Sequence, residues 1–230
     1  MKGLILISAY NSATTLPYVL EELKTFPDLD ILVVNDGSSD STGNIAISFG
    51  AQVIHHKVNK GKGAALQTGF KYAVRQDIDF VITLDADRQH PIEQIPNFIQ
   101  KHNEFPKAVI LGKRKRDKNM PWTRKFSNSV SASLISWRIR QRIYDAQCGF
   151  RLIPKNYLSW NLSSIKGFIF ESEVLITLAL NKVKFSFVPI PTLYPDASQS
   201  KMTYFDSTFD FIFMYISSFF KSYKQERHDV

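Results

Sequence analysis

Apolar residues recur along this chain in two alternating rhythms. Short runs rich in Val, Ile, Leu and Phe near 3–8, 30–35, 51–55, 79–84 and 107–112 predict strands. The stretches between them, 14–26, 40–49, 62–76 and 91–103, carry the helical pattern. That alternation predicts an α/β fold, a mostly parallel sheet covered by helices on both faces. Beyond 112 the pattern changes to a basic loop over 113–121 and a helix over 123–141, on which Arg124, Asn128 and Ser131 share one face. A segment from Tyr144 to Arg151 follows, then a helix near 168–182, a strand over 184–190 and a proline-punctuated linker reaching Ser200. The last stretch, 204–223, is an aromatic amphipathic helix with Asp206, Asp210, Ser217 and Lys221 on one stripe and Phe209, Phe213, Ile216, Phe219 and Phe220 over most of the rest.

At 230 residues and 44% hydrophobic content the chain suits one domain over 1–203 followed by the helical tail over 204–230. Its first apolar run stops at a polar turn after Ser8, so it reads as a strand and not as a signal peptide. The lone Cys148 excludes an internal disulfide, suits a cytoplasmic location and reads as a packed thiol. The five His are scattered, with no metal-binding cluster of Cys and His. The net charge of +8 is a single patch: 113–142 holds ten Lys or Arg against the one acid Asp117, leaving the rest of the chain at −1. Such a patch favours a phosphate-bearing partner, whether nucleotide, nucleic acid or anionic membrane. In the tail the apolar run 211–220 is half the ~20 residues a membrane span needs. The tail therefore reads either as an interfacial helix or as a packing surface against the core or a second subunit.

Chemistry gathers where strands end. Asp85-Ala86-Asp87 follows Phe80-Val81-Ile82-Thr83-Leu84, so two carboxylates stand one residue apart on a turn, a pattern that can hold Mg²⁺ or Mn²⁺ against a diphosphate. Val34-Asn35-Asp36-Gly37-Ser38 is a second strand ending in an acidic turn, whose Asp36 can accept from a nucleobase edge or a ribose. Asn59-Lys60-Gly61-Lys62-Gly63 is a basic glycine turn before a helix, suited to an anion but without Walker spacing. Because ligands of such sheets sit outside the carboxyl ends of the strands, the turns beginning at Ser8, Asp36 and Asp85 are expected to converge. Glu171 and Glu173 are first-turn charges of helix 168–182, with a direct role left open.

These ordered motifs, with Ala9-Tyr10-Asn11 and the segment from Asp145 to Arg151, resemble the family 2 glycosyltransferases of GT-A fold. The likeness is strongest to the branch of dolichyl-phosphate mannose synthase and polyprenyl-phosphate glycosyltransferases, and it extends over roughly 3–203. The resemblance implies a Rossmann-like GT-A sheet and a nucleotide-sugar donor contacted by Ala9, Tyr10, Asn11, Asp36, Gly37, Lys62, Asp85, Ala86 and Asp87. It implies a divalent cation, Mg²⁺ or Mn²⁺, at Asp85, Asp87 and Gln89. It also implies a lipid phosphate acceptor met by Arg114, Arg124, Ser127, Arg151 and Lys201. Asp85, Asp87 and Asp145 are the catalytic candidates, Asp145 either orienting the acceptor or pairing with Arg151. Two positions depart from the family pattern: Ser12 stands where Glu is common, and Arg88 replaces the usual Gly after the DxD.

The implied reaction is an inverting displacement. A metal stabilises the leaving diphosphate, while an acceptor phosphate, already anionic, attacks without a general base. The expected setting is the cytoplasmic face of a membrane, with peripheral contact and no nucleic acid; oligomeric state is left open. An acceptor hydroxyl on a saccharide is the alternative, and it requires a base such as Asp145. A nucleic-acid-binding module using 113–142 is the remote alternative, and it leaves both acidic turns without a role.

Overall fold

The computed structural model describes residues 1–115, 122–160, 170–193 and 204–220, with 122–127 and 204–210 described as backbone. Seven strands, β1 Gly3–Ala9, β2 Leu29–Asn35, β3 Gln52–His55, β4 Phe80–Asp85, β5 Ala108–Arg114, β6 Arg151–Pro154 and β7 Lys184–Ile190, form one sheet in the order β3-β2-β1-β4-β6-β5-β7. All pairings are parallel except those of β6, which runs antiparallel between β4 and β5. The order reverses on the two sides of β1, with β2 on one side and β4 on the other. That is the topological switch point where α/β sheets bind ligands.

The helices are α1 Leu16–Leu23, α2 Thr42–Ser48, α3 Lys62–Val74, α4 Ile95–Glu104, α5 Trp122–Ile139, α6 Phe170–Leu180 and α7 Tyr204–Ser217. Side chains alternate across the strands and feed two cores. Leu4, Leu6, Val81, Val109 and Leu111 pack with α3, α5 and α6 on one face, whereas Ile5, Ile7, Ile82, Leu84 and Ile110 pack with α1, α2 and α4 on the other. The expected two-sided cover is present.

The elements differ from the sequence reading in instructive ways. The expected helix over 14–26 is trimmed to Leu16–Leu23: Pro17 in its first turn suits a start there, and Pro27 lies just beyond its end. The helix expected over 91–103 begins instead as a 3₁₀ turn, Ile92–Gln94. β5 runs two residues past the expected 112, so Lys113 and Arg114 close a strand and do not open a loop. β6 has no counterpart in the sequence reading. α6 is buried from Phe170 to Ala179, as its nearly continuous apolar sequence requires, and it takes Glu171 and Glu173 inside with it.

Candidate active site

Strand register gathers the expected loops. Ala9 lies beside Asn35 at the ends of β1 and β2, and Ser8 lies beside Asp85 at the end of β4. The turns carrying Tyr10, Asp36 and Asp87 thus leave the sheet side by side. The first two are laced together by short hydrogen bonds. Asn11, in the left-handed region at φ 47°, donates its N–H to Ser38 Oγ at 2.9 Å and accepts from the Ser39 N–H through Oδ1 at 2.9 Å. Ser12 donates its N–H to Thr42 Oγ1 at 2.8 Å, and its carbonyl accepts the Leu16 N–H that opens α1. The Ser that departs from the family pattern works mainly through its main chain, its hydroxyl adding only a bond to the Tyr10 carbonyl at 3.2 Å. Tyr10 remains 40% exposed at the rim.

Asp36 is buried, and its carboxylate organises the glycine turn. Oδ1 accepts from the Lys60 N–H at 3.0 Å and faces His56 Nδ1 at 2.6 Å, while Oδ2 accepts from the Gly61 N–H at 2.7 Å. Gly37 at φ 71° lets the turn lie against this loop: a Cβ there would come within 2.4 Å of the Val58 carbonyl carbon. His56 reaches Thr68 Oγ1 on α3 at 2.9 Å through Nε2, and that hydroxyl donates to Ala64 O at 3.0 Å. With its proton committed to Ala64, Thr68 is an acceptor toward His56. His56 escaped the sequence reading, since the pair His55-His56 before Lys57 matches no ligand spacing.

At the DxD turn the two aspartates differ in kind. Asp85 accepts from Lys62 Nζ at 2.6 Å, and Lys62 also reaches Glu171 Oε1 at 2.6 Å, so one ammonium bridges two carboxylates. Burial alone pushes the Asp85 carboxyl up, but Lys62 and then His90 hold it down, at about 2. Burial likewise lowers the Lys62 ammonium, and Asp85 followed by Glu171 more than offsets it, leaving the group above the ordinary lysine value. The other Glu171 oxygen, Oε2, is buried without a hydrogen-bond partner among the described residues.

Asp87 sits at the exposed rim, its Oδ1 accepting the Gln89 N–H at 3.0 Å. Desolvation by its surroundings and then the negative charge of Asp85 raise its carboxyl above the ordinary value. Ala86 between them is buried. Arg88 takes φ 63° and lays its guanidinium 4.3 Å from the centre of the Tyr18 ring. That left-handed conformation favours Gly, and it explains why Gly is the family's usual residue there. Among the described residues no group of three His, Cys, Asp or Glu can hold a metal unaided. An exposed Asp87 suits a hard cation whose remaining ligands are substrate phosphates and water.

The acceptor candidates divide. Arg114 forms a bidentate pair with Asp145, Nε to Oδ2 at 2.6 Å and Nη2 to Oδ1 at 2.9 Å, so Asp145 pairs with Arg114 and not with Arg151. The pair engages two of the five guanidinium donors and leaves three for an anion. Arg151 is 3% exposed and donates to the carbonyls of Cys148, Glu171 and Ala146. In this geometry it ties β6 to α6 and lines the same cavity as Lys62, Asp85 and Glu171. Cys148 is a packed thiol, pushed up to about 12 by burial. Arg124 and Ser127 lie on α5 with their side chains outside the described residues, and Lys201 lies outside them altogether.

Gly149 closes the floor of this site. A Cβ there would stand 2.8 Å from Asp85 Oδ2 and 3.1 Å from Lys62 Nζ, against a short carboxylate already held in place. Gly149→Ala is expected to destabilise the fold by about 1–3 kcal/mol. By displacing Asp85, it should also raise the donor KM about tenfold with the acceptor KM unchanged. Melting curves and two-substrate kinetics check it; unchanged melting would mean that the site relaxes freely around a methyl group.

The solved structures similar to this fold include glucosyl-3-phosphoglycerate synthase from Mycobacterium tuberculosis in complex with UDP, at TM-score 0.74 and 17% identity over 94% of this chain and 79% of that one. The same synthase in complex with Mn²⁺, UDP and glucosyl-3-phosphoglycerate matches at TM-score 0.70 and 17% identity, over 95% of this chain and 78% of that one. In sequence, the UDP-N-acetylglucosamine–dolichyl-phosphate N-acetylglucosaminyltransferase of Methanococcus voltae is 30% identical over 223 residues, 86% of this chain and 88% of that protein. The undecaprenyl-phosphate mannosyltransferase of Micrococcus luteus is 27% identical over 220 residues, 88% of each. The family model described as glycosyl transferase family 2 matches residues 4–159, which takes in the three turns at the switch point, and the chain belongs to that family.

Proposed function

We infer that this chain transfers a sugar from a nucleotide-sugar donor to a polyprenyl-type lipid phosphate, with inversion and with Mg²⁺ or Mn²⁺, at the cytoplasmic face of a membrane. The observation that carries the reading is the convergence of the Tyr10, Asp36 and Asp85–Asp87 turns at the switch point, with Arg114 at the end of β5 on the acceptor side. The acceptor class is supported by the dolichyl- and undecaprenyl-phosphate transferases among the relatives.

In this reading Tyr10 and the Asp36 loop hold the nucleoside, and the exposed Lys60 side chain offers a cation to its phosphates. Asp87, with Gln89 beside it, would hold the divalent cation, which stabilises charge developing on the leaving diphosphate. Asp85, paired with the Lys62 ammonium that Glu171 shares, shapes the turn. Arg114, its plane fixed by Asp145, orients the acceptor phosphate. That phosphate is anionic near neutral pH, so the attack needs no base. A saccharide hydroxyl would need one, and Asp145 is engaged by two Arg114 donors.

The test is a transfer assay with a panel of sugar nucleotides and either a short-chain polyprenyl phosphate or neutral saccharides, with and without Mn²⁺. Product only with the lipid phosphate, abolished by chelator, is the expected result. Transfer to a saccharide hydroxyl and none to the lipid phosphate would replace this reading with the alternative.

A further inference from the structure

The tail helix α7 is neither a free arm nor a buried strut. Its inner face docks on the domain: Met214 is fully buried in the core shared with α5 and α6, Phe211 packs against that core, and Ser218 is buried. Arg138 on α5 locks the end, donating to Ser218 O at 2.6 Å and to Ser218 Oγ at 3.2 Å. Met214 and Ser218 are the inward positions. The outer face of the helix's last turns and of the turn that follows it is apolar and uncovered among the described residues. Phe213 is 72% exposed, Phe220 85% and Ile216 53%, and Trp137 from α5 joins the stripe at 70% exposure, its ring 6.0 Å from that of Phe219.

The charge at the Trp137–Phe219 end of this stripe is basic, while the acids of the helix, Asp206 and Asp210, stand earlier along it. Arg138 stacks over Phe219 at 4.6 Å, and the exposed Arg140 and Arg142 follow just past the end of α5, Arg142 over the Tyr144 ring at 4.8 Å. No Asp or Glu occurs in 128–142 or in 211–220. A contiguous apolar patch of aromatic residues rimmed by arginine is unusual on a soluble surface. It matches the two requirements of a bilayer interface: aromatic rings at headgroup level and cations toward anionic lipid. A second copy of the chain fits less well, because a two-fold contact through the stripe would bring each arginine cluster close to its own copy. No helix among the described residues is long and apolar enough to cross a membrane, so the contact is one of lying on the surface.

We propose that the outer face of α7, with Trp137 and the cluster Arg138, Arg140 and Arg142, is a docking surface for an anionic lipid bilayer. The proposal deepens the lipid-acceptor reading and rests on it for its biological sense, yet it is tested without acceptor or donor. Full-length protein is sedimented with vesicles of phosphatidylcholine alone and of phosphatidylcholine mixed with phosphatidylglycerol. Wild type should bind the mixed vesicles, and more weakly at high salt. A Phe213→Ser/Phe220→Ser variant should bind about tenfold more weakly or worse, and Arg140→Gln/Arg142→Gln should lose the preference for anionic lipid. Both variants should keep the melting temperature and the turnover of a short-chain soluble acceptor. Wild type that stays in the supernatant, or a Phe variant that sediments as wild type does, overturns the proposal. So does a wild-type dimer in sedimentation velocity that the Phe variant splits, since the occupant is then a second copy. Soluble-acceptor turnover reports separately on the transferase reading, so the two can fail independently.

Discussion

Replacing Asp87 by Asn is expected to lower divalent-metal-dependent turnover by about 10²–10³-fold, equivalent to about 3–4 kcal/mol of transition-state stabilisation. The fold should be left within about 0.5 kcal/mol of wild type, because Asp87 is exposed and outside both cores. Asn keeps the shape and the acceptor oxygen for the Gln89 N–H, so the turn survives; what goes is the charge that would hold a cation against the diphosphate. The carboxyl is disfavoured as an anion by desolvation and by Asp85, so its removal relieves a small repulsion in the unliganded protein. Titrating Mn²⁺ into both proteins while following transfer and melting separates the two effects. A variant with the wild-type Mn²⁺ response would take the metal away from this turn.

The contrast between Asp87 and Asp85 marks the boundary of what the sequence makes legible. Strand-ending carboxylates, their spacing and the alternation of β1 to β5 with α1 to α4 are local patterns, and they place the site at the sheet's carboxyl edge. The difference between the two aspartates is not local. It depends on Lys62, which a glycine turn advertises as an anion binder, and on Glu171, which looks like an ordinary first-turn helix charge. Only packing of the buried α6 against α3 brings them to one ammonium.

β6 was hidden for a related reason. Four residues, Arg151–Pro154, are too few to show a period, and a strand that opens with arginine resembles a loop. The arginine is tolerated because three carbonyls receive its guanidinium, and that arrangement leaves Arg114 as the partner of Asp145. Arg88 shows the opposite case. Sequence marks it as a bulky departure, and the structure supplies both the reason for the position's preference, a left-handed backbone, and the accommodation, a stack on Tyr18.

Lys62→Met should be the most destabilising single change considered. It keeps the volume of the side chain but leaves Asp85 and Glu171 without their shared counter-charge, and breaking a buried pair in this way costs about 3–5 kcal/mol. For a domain of this size that is a fall in melting temperature of roughly 10 °C. The acid limb identifies the cause. In wild type Asp85 is held at about 2 against an ordinary 3.8, so its contribution, of order 2 kcal/mol, is fully present above about pH 4 and is lost as pH falls through 2. Without Lys62 the leading influence on Asp85 is burial, which raises the carboxyl, and a raised carboxyl favours the folded state as protons are added. The gap between variant and wild type should therefore be widest near neutral pH and narrow steadily below pH 4. Adding Glu171→Gln to Lys62→Met should recover part of the loss by removing one of the two stranded charges. Urea midpoints of the three proteins at neutral pH and near pH 3 decide the matter: a gap that stays constant with pH would mean that Lys62 acts through packing, and that the ammonium bridging Asp85 and Glu171 contributes little to the fold.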